Sequence, residues 1–364
     1  SRMDDDEDDA LCVCLDGAGR VDGAAEACAT DATGDVPTEV WDDWLRLTPP
    51  QREHLCMACH RAAWPLAPGS FWLPASEAPR CELEALACAI MRFHLDPRVL
   101  DARAEHIGVE WWANVSNSDT ISRPAGEAYG DIALHWDKDE RAHGTLGLLI
   151  QPLISTVTYL GAAGAPTLVV PGTRPTGADG GYTPAPLPRA ELAPPRAGRH
   201  LRFDGRWLHG APASLCPAST PALYTRITFC VNIWVGHRPP AAARFAVPPA
   251  PTAGPAPPFR VRHARASNAP AASTARRDVL RTLSAITKRG PRASGRPRST
   301  GARTGRAPGA ARIATFALEQ TDVAHELVLP LPQVPLERSL AAGHVASLRF
   351  GACAGAGCAI RRTA

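Results

Sequence analysis

The sequence predicts a mainly β fold, a sandwich or barrel with helices packed on the outside of one sheet. Three observations predict it. Apolar residues recur at helical spacing up to about residue 105 and then alternate with a period near two. Beyond that point the apolar runs are short and are punctuated by Gly- and Pro-containing turns. The helical stretches come first, which places them on an outer face rather than between parallel strands.

In chain order, residues 1–36 read as a disordered acidic tail, poor in large apolar groups. A helical support region is expected over 37–105. Its first helix would open at Asp35-Val36-Pro37 and present Val40, Trp41, Trp44 and Leu45 on one face. Pro49-Pro50 ends that face and starts a second helix, Gln51 to Ala63. Cys81 to Phe93 is the best helix in the chain, with Leu83, Leu86, Ala87, Ile90 and Met91 as its apolar stripe, and Asp96-Pro97 stops it. The β core is expected over 106–238. Its strands are His106 to Val115, Asp131 to Trp136, Leu146 to Ile150, Ser155 to Leu160, Thr167 to Val170, His200 to Phe203 and Leu223 to Val235, with a long loop from Pro171 to Gly198. Residues 239–311 read as a Pro/Ala/Arg-rich basic flexible insert with one helix, Arg277 to Thr287. Strands return over 312–351 and pack on the core, and 352–364 is a frayed tail.

Composition bounds the function. No apolar run approaches the length of a membrane span. Ser1-Arg2-Met3 followed by acids lacks the order of a secretory signal, so a cytoplasmic or nuclear location is expected. The cysteines are odd in number, 11, and irregularly spaced, which reads as reduced thiols rather than a disulfide framework. Cys56-Met57-Ala58-Cys59-His60 matches the attachment motif for c-type haem, but it lies in a helix of a chain without export features, so structural thiols are expected there. Net charge is +3, and it is unevenly spread: Arg260 to Arg312 holds Asp278 as its single acid.

The stretch around which the chain is organised is Ile132-Ala133-Leu134-His135-Trp136-Asp137-Lys138-Asp139-Glu140. In a strand, residues i and i+2 share a face, so His135 and Asp137 converge while Trp136 turns away. One imidazole and one carboxylate make two-thirds of the His₂-carboxylate set that leaves open positions on Fe(II). His209, in Leu208-His209-Gly210, is the candidate for the third ligand. Arg226 stands on a late apolar strand, where a buried guanidinium needs an anionic partner, and Thr228 shares its face. Thr156 and Thr158 fall on one face of their strand and Tyr159 on the other, so not all three can line a site.

From Val109 to Trp234 the chain resembles the 2-oxoglutarate- and Fe(II)-dependent dioxygenase superfamily, most closely a poorly characterised branch with His-x-Asp-Lys-Asp-Glu. Four blocks carry the resemblance in order: His135-x-Asp137; Ser155 to Leu160 followed by Gly164-Ala165-Pro166-Thr167; Phe203-Asp204-Gly205 leading to Leu208-His209-Gly210; and Arg226-Ile227-Thr228 before Phe229 to Trp234. The resemblance implies a double-stranded β-helix barrel, jelly-roll or cupin-like, behind N-terminal helices. It implies Fe(II) on His135, Asp137 and His209, with 2-oxoglutarate as cosubstrate held by Arg226 and Thr228. Tyr159 is a weaker cosubstrate candidate. It further implies O2 as oxidant, ascorbate as a reductant, and an unidentified substrate, small molecule or protein side chain, oxidised by hydroxylation while 2-oxoglutarate becomes succinate. Asp137 argues against halogenase chemistry. Arg226 follows His209 by 17 residues, more than is usual in the family, so Ala211 to Leu223 would have to form an enlarged loop.

Several residues receive structural readings. Arg202 and Arg206 are rivals to Arg226, but stand beside a turn. Trp111 and Trp112 read as core. Lys138, Asp139 and Glu140 read as rim residues, and His143, His200 and His237 have no partner at ligand spacing. A second function class is a nucleic-acid-binding protein acting through the basic 260–312 segment, whose arginines would neutralise phosphates beside a non-catalytic barrel.

Overall fold

The computed structural model describes residues 35–63, 69–117, 132–173, 175–176, 181–182, 189–221, 223–246, 260–261, 311–317, 325–349 and 359–362. The elements in order are β1 (Glu39–Trp41), β2 (Leu45–Arg46), α1 (Pro49–Ala62), β3 (Phe71–Pro74), α2 (Glu82–His94), α3 (Pro97–Arg103), β4 (Ile107–Asn117), β5 (Ile132–His135), α4 (Glu140–Leu146), β6 (Ile154–Tyr159) and β7 (Thr167–Val170). They continue with β8 (Pro175–Thr176), β9 (Gly181–Tyr182), β10 (Arg189–Ala193), β11 (His200–Asp204), β12 (Leu208–Ala211), β13 (Thr225–Val235) and β14 (Arg260–Val261). Last come β15 (Ala311–Ala317), β16 (His325–Pro332), α5 (Gln333–Ala341), β17 (Ala346–Arg349) and β18 (Ala359–Arg362).

Two antiparallel sheets face each other. The larger runs β1-β11-β6-β13-β4-β3 and the smaller β17-β10-β7-β12-β5. From β4 to β7 the chain alternates between the sheets strand by strand. It stays in the smaller sheet for β10, then alternates again through β11, β12 and β13. This winding is that of a double-stranded β-helix, the jelly-roll arrangement.

Alternation along β13 shows why the strand forms and what it divides. Ile227, Phe229, Val231 and Ile233 join the core beneath the helices, whereas Arg226, Thr228, Cys230 and Asn232 line the space between the sheets. Helices α1 and α2 cover the outer face of the larger sheet through Leu55, Leu83, Leu86, Ile90 and Met91. Helix α1 opens with a capping box: Thr48 and Gln51 each bond the other's backbone, and the prolines occupy the first turn, where no N–H is needed. The outer face of the smaller sheet is covered from the C-terminal side, with Leu327, Leu336, Leu340 and Leu348 packed on Leu134, Leu168, Leu192 and Leu208.

Several expectations need correction. Val40, Trp41 and Leu45 lie on strands, not on a helix, because Val40 and Trp41 pair with β11 and the chain turns at Asp43 with a left-handed φ of 57°. A strand over Leu146 to Ile150 is absent. Asp139 caps α4 instead, accepting from the Arg141 and Ala142 amides, and Gly147 ends it at φ 65°. The expected loop from Pro171 to Gly198 contains β10, which the sheet needs between β7 and β17. Asp96-Pro97 starts α3 as well as ending α2. Strand β18 lies within the expected frayed tail. The expected helix Arg277 to Thr287 and nearly all of the basic segment lie outside the described residues.

Behind the larger sheet, His94 at the end of α2 meets His200 on β11, Nε2 to Nε2, at 2.8 Å, and Thr158 lies 2.7 Å from His200 Nδ1. Both imidazoles are buried, and Trp44 stacks on His200 with ring centroids 4.3 Å apart. Burial, helped by Arg202, pushes His200 down to about 3; burial, His200 and Arg202 hold His94 well below its usual value. The unfolded chain takes up both protons near pH 6.5. The contribution of this pair is therefore complete above pH 6.5 and is lost as the pH falls from there toward 3. Melting temperature should fall across that window, and a His94→Gln/His200→Gln double variant should show a flatter profile.

Candidate metal centre and its cavity

Strand pairing creates the centre. His209 on β12 lies directly opposite His135 on β5, and the register shifts between His209 and Ala211. Opposed residues of an antiparallel pair bring their side chains together on one face. Gly210 permits this approach, since a Cβ there would stand 2.7 Å from the Ala133 carbonyl oxygen. Asp137, just past the end of β5, completes the group. One ligand-type atom from each of His135, Asp137 and His209 falls within 4.8 Å of the others, the one such group of three among the described residues. Trp136 turns the other way and donates its indole N–H to the Thr173 carbonyl at 2.9 Å.

The surroundings fix the chemical state of all three. His135 Nδ1 lies 2.8 Å from the Ala133 carbonyl and His209 Nδ1 lies 2.9 Å from the Trp207 carbonyl. A carbonyl only accepts, so each Nδ1 carries the proton and each Nε2 presents a lone pair. These nitrogens stand 3.6 Å from Asp137 Oδ1 and 3.4 Å from Asp137 Oδ2, respectively. Burial pushes His209 down to about 4, against the pull of Asp137. Burial alone would raise Asp137, but His209, His135 and the Ser155 hydroxyl outweigh it and hold the carboxyl well below its usual range. At neutral pH, His209 is thus neutral beside an ionised Asp137, the protonation state a metal requires. Ligand atoms bound at about 2.0–2.2 Å on one octahedral face lie about 3 Å apart, so small movements would close the observed gaps. The donor set fits Fe(II) with positions left open.

The cavity in front of this group measures about 180 Å³. Arg226 lines it and is 2% exposed. Its Nε donates to the Ala165 carbonyl at 3.2 Å, Nη1 to Thr228 Oγ1 at 3.3 Å and Nη2 to Thr167 Oγ1 at 3.2 Å. Tyr159 lies under the guanidinium, 5.6 Å from ring centroid to Cζ. Its hydroxyl sits 2.5 Å from Thr167 Oγ1 and donates to the Ala193 carbonyl at 2.8 Å, so Tyr159 braces Arg226. Gly164, at φ 110°, lets the arginine stem pass; a Cβ there would stand 2.8 Å from Arg226 Cδ. Among the described residues, no carboxylate pairs with Arg226. Among the described residues, the interval before it contains a short 3-10 turn, Ala213–Leu215, and otherwise irregular chain, and Arg226 reaches the cavity despite its distance from His209.

The rival arginines lie elsewhere. Arg202 pairs with Glu39 and Arg206 with Asp204 and Asp35. Trp111 is core, but Trp112 lines the cavity, because neighbours on a strand point to opposite sheet faces. Lys138 and Asp139 are not rim residues: the Lys138 side chain is 4% exposed, and Asp139 is buried and bonded to His237 at 2.7 Å. Cys59 is buried with its thiol pushed far up by burial, as suits a structural residue.

Sequence reasoning missed Thr167, Ser155, Asn232 and Glu110. Glu110 faces inward on β4, opposite Asn232. It lies 2.6 Å from Ser70 Oγ and accepts from the Trp234 indole N–H at 3.1 Å. Burial, with Asp137 and Asp139 nearby, pushes it up to about 7, despite the hydrogen bonds from Ser70 and Trp234. The unfolded carboxyl loses its proton near pH 4.3, so this group costs the metal-free protein stability as pH rises from there toward 7. Glu110→Gln should melt with wild type at pH 4 and be more stable by roughly 3–4 kcal/mol at pH 8.

No protein-family model matches the chain, and no curated protein sequence matches it. Similar solved structures include a prolyl-4-hydroxylase of Pseudomonas putida, at 15% identity over 54% of this chain and 83% of that one, with a TM-score of 0.28. HygX of Streptomyces hygroscopicus with nickel and 2-oxoglutarate bound is 13% identical over 54% and 82%, with a TM-score of 0.30. The epimerase SnoN in complex with Fe3+, alpha ketoglutarate and nogalamycin RO is 14% identical over 54% and 78%, with a TM-score of 0.30. These likenesses are distant.

Proposed function

We propose that this protein is an Fe(II)- and 2-oxoglutarate-dependent oxygenase that hydroxylates a substrate admitted beside Trp112. The observation that carries the reading is one cavity with a His₂-carboxylate group on one wall and a buried, carboxylate-free arginine on another. With a divalent ion on the triad, the cavity wall would hold two positive charges in excess. A dicarboxylate dianion neutralises them, whereas burying them unmatched would be costly. Iron supplies the activation of O2 coupled to oxidative decarboxylation of 2-oxoglutarate to succinate.

The chain's own residues do the rest. His135, Asp137 and His209 hold the ion through one face. Arg226 binds the distal carboxylate of the cosubstrate with the N–H groups not already given to Ala165, Thr167 and Thr228. Thr228 adds a hydroxyl beside it. Trp112 and Asn114 on β4 and Ile132 on β5 flank the remaining space and contact the substrate, a small molecule or a protein side chain. Asp137 in the donor set argues against halogenation, and hydroxylation is the outcome we propose.

The test is conversion of 2-oxoglutarate to succinate with Fe(II), O2 and ascorbate, before and after metal removal by a chelator. The reading predicts slow succinate formation even without substrate, lost on chelation and restored by Fe(II) alone. Succinate formation indifferent to chelation would contradict it.

A further inference from the structure

Behind Asp137, one lateral row crosses the inner face of the larger sheet. Register places Trp72, Glu110, Asn232, Ser155 and Phe203 side by side on β3, β4, β13, β6 and β11. The end of this row supports the metal centre twice. Phe203 packs on His209, with ring centroids 4.6 Å apart. Ser155 Oγ lies 2.7 Å from Asp137 Oδ2 and 2.7 Å from Asn232 Oδ1. All three groups are buried, Ser155 at 2% exposure, Asn232 at 3% and Asp137 at 9%.

A hydroxyl carries one proton and cannot donate to both neighbours. Asp137 has only acceptor oxygens and a full negative charge, so it takes the Ser155 proton. The Ser155 oxygen must then accept, so the Asn232 amide, recorded with Oδ1 toward the serine, is assigned the flipped orientation that presents its N–H there. The result is a directed chain, Asn232 N–H to Ser155 O–H to the Asp137 carboxylate. Its polarity is set by the amide.

We propose that Ser155 and Asn232 are positioning residues for the metal-binding carboxylate. They lock the rotation of Asp137 so that Oδ1 faces His135 and Oδ2 faces His209. The inference rests on the proposed metal centre and concerns residues that would not touch the ion. Outer partners of this kind typically change metal affinity by about 10–100-fold when removed.

The polarity makes the test sharp. Asn232→Asp preserves shape but has no N–H to give. It would draw the Ser155 proton to itself and leave Asp137 without its donor. The added carboxylate also stands beside Asp137 and Glu110, so Ser155→Ala, which adds no charge, is read alongside it. Co(II) binding by the full chain, read from its visible absorption and by calorimetry, is compared for wild type, Ser155→Ala, Ser155→Thr and Asn232→Asp.

The proposal predicts tight binding by wild type and about 10–100-fold weaker binding by Ser155→Ala and Asn232→Asp. It also predicts an altered Co(II) spectrum in both and recovery in Ser155→Thr, with unchanged circular dichroism throughout. If Ser155→Ala fails to fold, the isosteric Asn232→Asp carries the test. Tight wild-type binding with equal affinity and spectrum in the variants would overturn this inference alone. No Co(II) binding by wild type would overturn the metal centre as well.

Discussion

Replacing His209 with alanine is expected to abolish Fe(II)-dependent succinate formation while leaving the fold intact. The imidazole faces the cavity rather than the apolar cores, and its one hydrogen bond goes to a carbonyl two residues away. Its loss would cost metal affinity more than the roughly 10–100-fold typical of an outer partner, because one of three donors is gone. His135→Ala and Asp137→Ala should match it in turnover. Asp137→Ala should also change the acid dependence of His209, since the carboxylate is the group that holds that imidazole up against burial. Metal affinity by calorimetry and succinate yield, on protein with an unchanged melting profile, check this. A His209→Ala variant retaining wild-type turnover would remove the histidine from the site.

Arg226→Leu should separate cosubstrate binding from metal binding. Truncating one side of a buried ion pair costs about 2–5 kcal/mol, roughly 30-fold to several-thousand-fold in affinity. The expected result is a rise of that size in the KM for 2-oxoglutarate, with Co(II) affinity near wild type. Arg226→Lys should recover only part of the loss. An ammonium restores the charge, but it lacks the planar fork that reaches Thr167 and Thr228 at once while facing the cavity. Equal KM values in Arg226→Leu and wild type would mean that the arginine serves packing alone.

The parts legible in the sequence were those written in short periods. His135 and Asp137 are two residues apart, and the i, i+2 rule alone puts them on one face. The stripe Leu83, Leu86, Ile90 and Met91 marks α2 in the same way. Strand β10 was hidden because Arg189 to Ala193 is short and sits among prolines and glycines; its partners β7 and β17 lie far away in sequence. The helix expected around Trp41 failed because apolar residues at i, i+1 and i+4 also suit two short strands joined by a turn. Only pairing with β11 decides between them.

The outer partners of the metal group were partly visible. Stepping by two from Arg226 and Thr228 reaches Cys230 and then Asn232, so alternation alone puts Asn232 on the cavity face. Ser155 follows from Tyr159 by the same count. What no period supplies is the lateral register that sets Asn232 against Ser155 and Glu110 against Asn232, because that depends on which strands become neighbours. The His94–His200 contact is of the same kind, joining a helix end to a strand 106 residues later.

The central claim is that iron and 2-oxoglutarate share the cavity between His135, Asp137, His209 and Arg226. The most direct measurement is an anaerobic titration of Fe(II)-loaded protein with 2-oxoglutarate, followed by visible absorption, in wild type and His135→Ala. The account predicts a weak visible charge-transfer band that saturates in wild type and is absent from the variant. No band in wild type, or an equal band in His135→Ala, would contradict it.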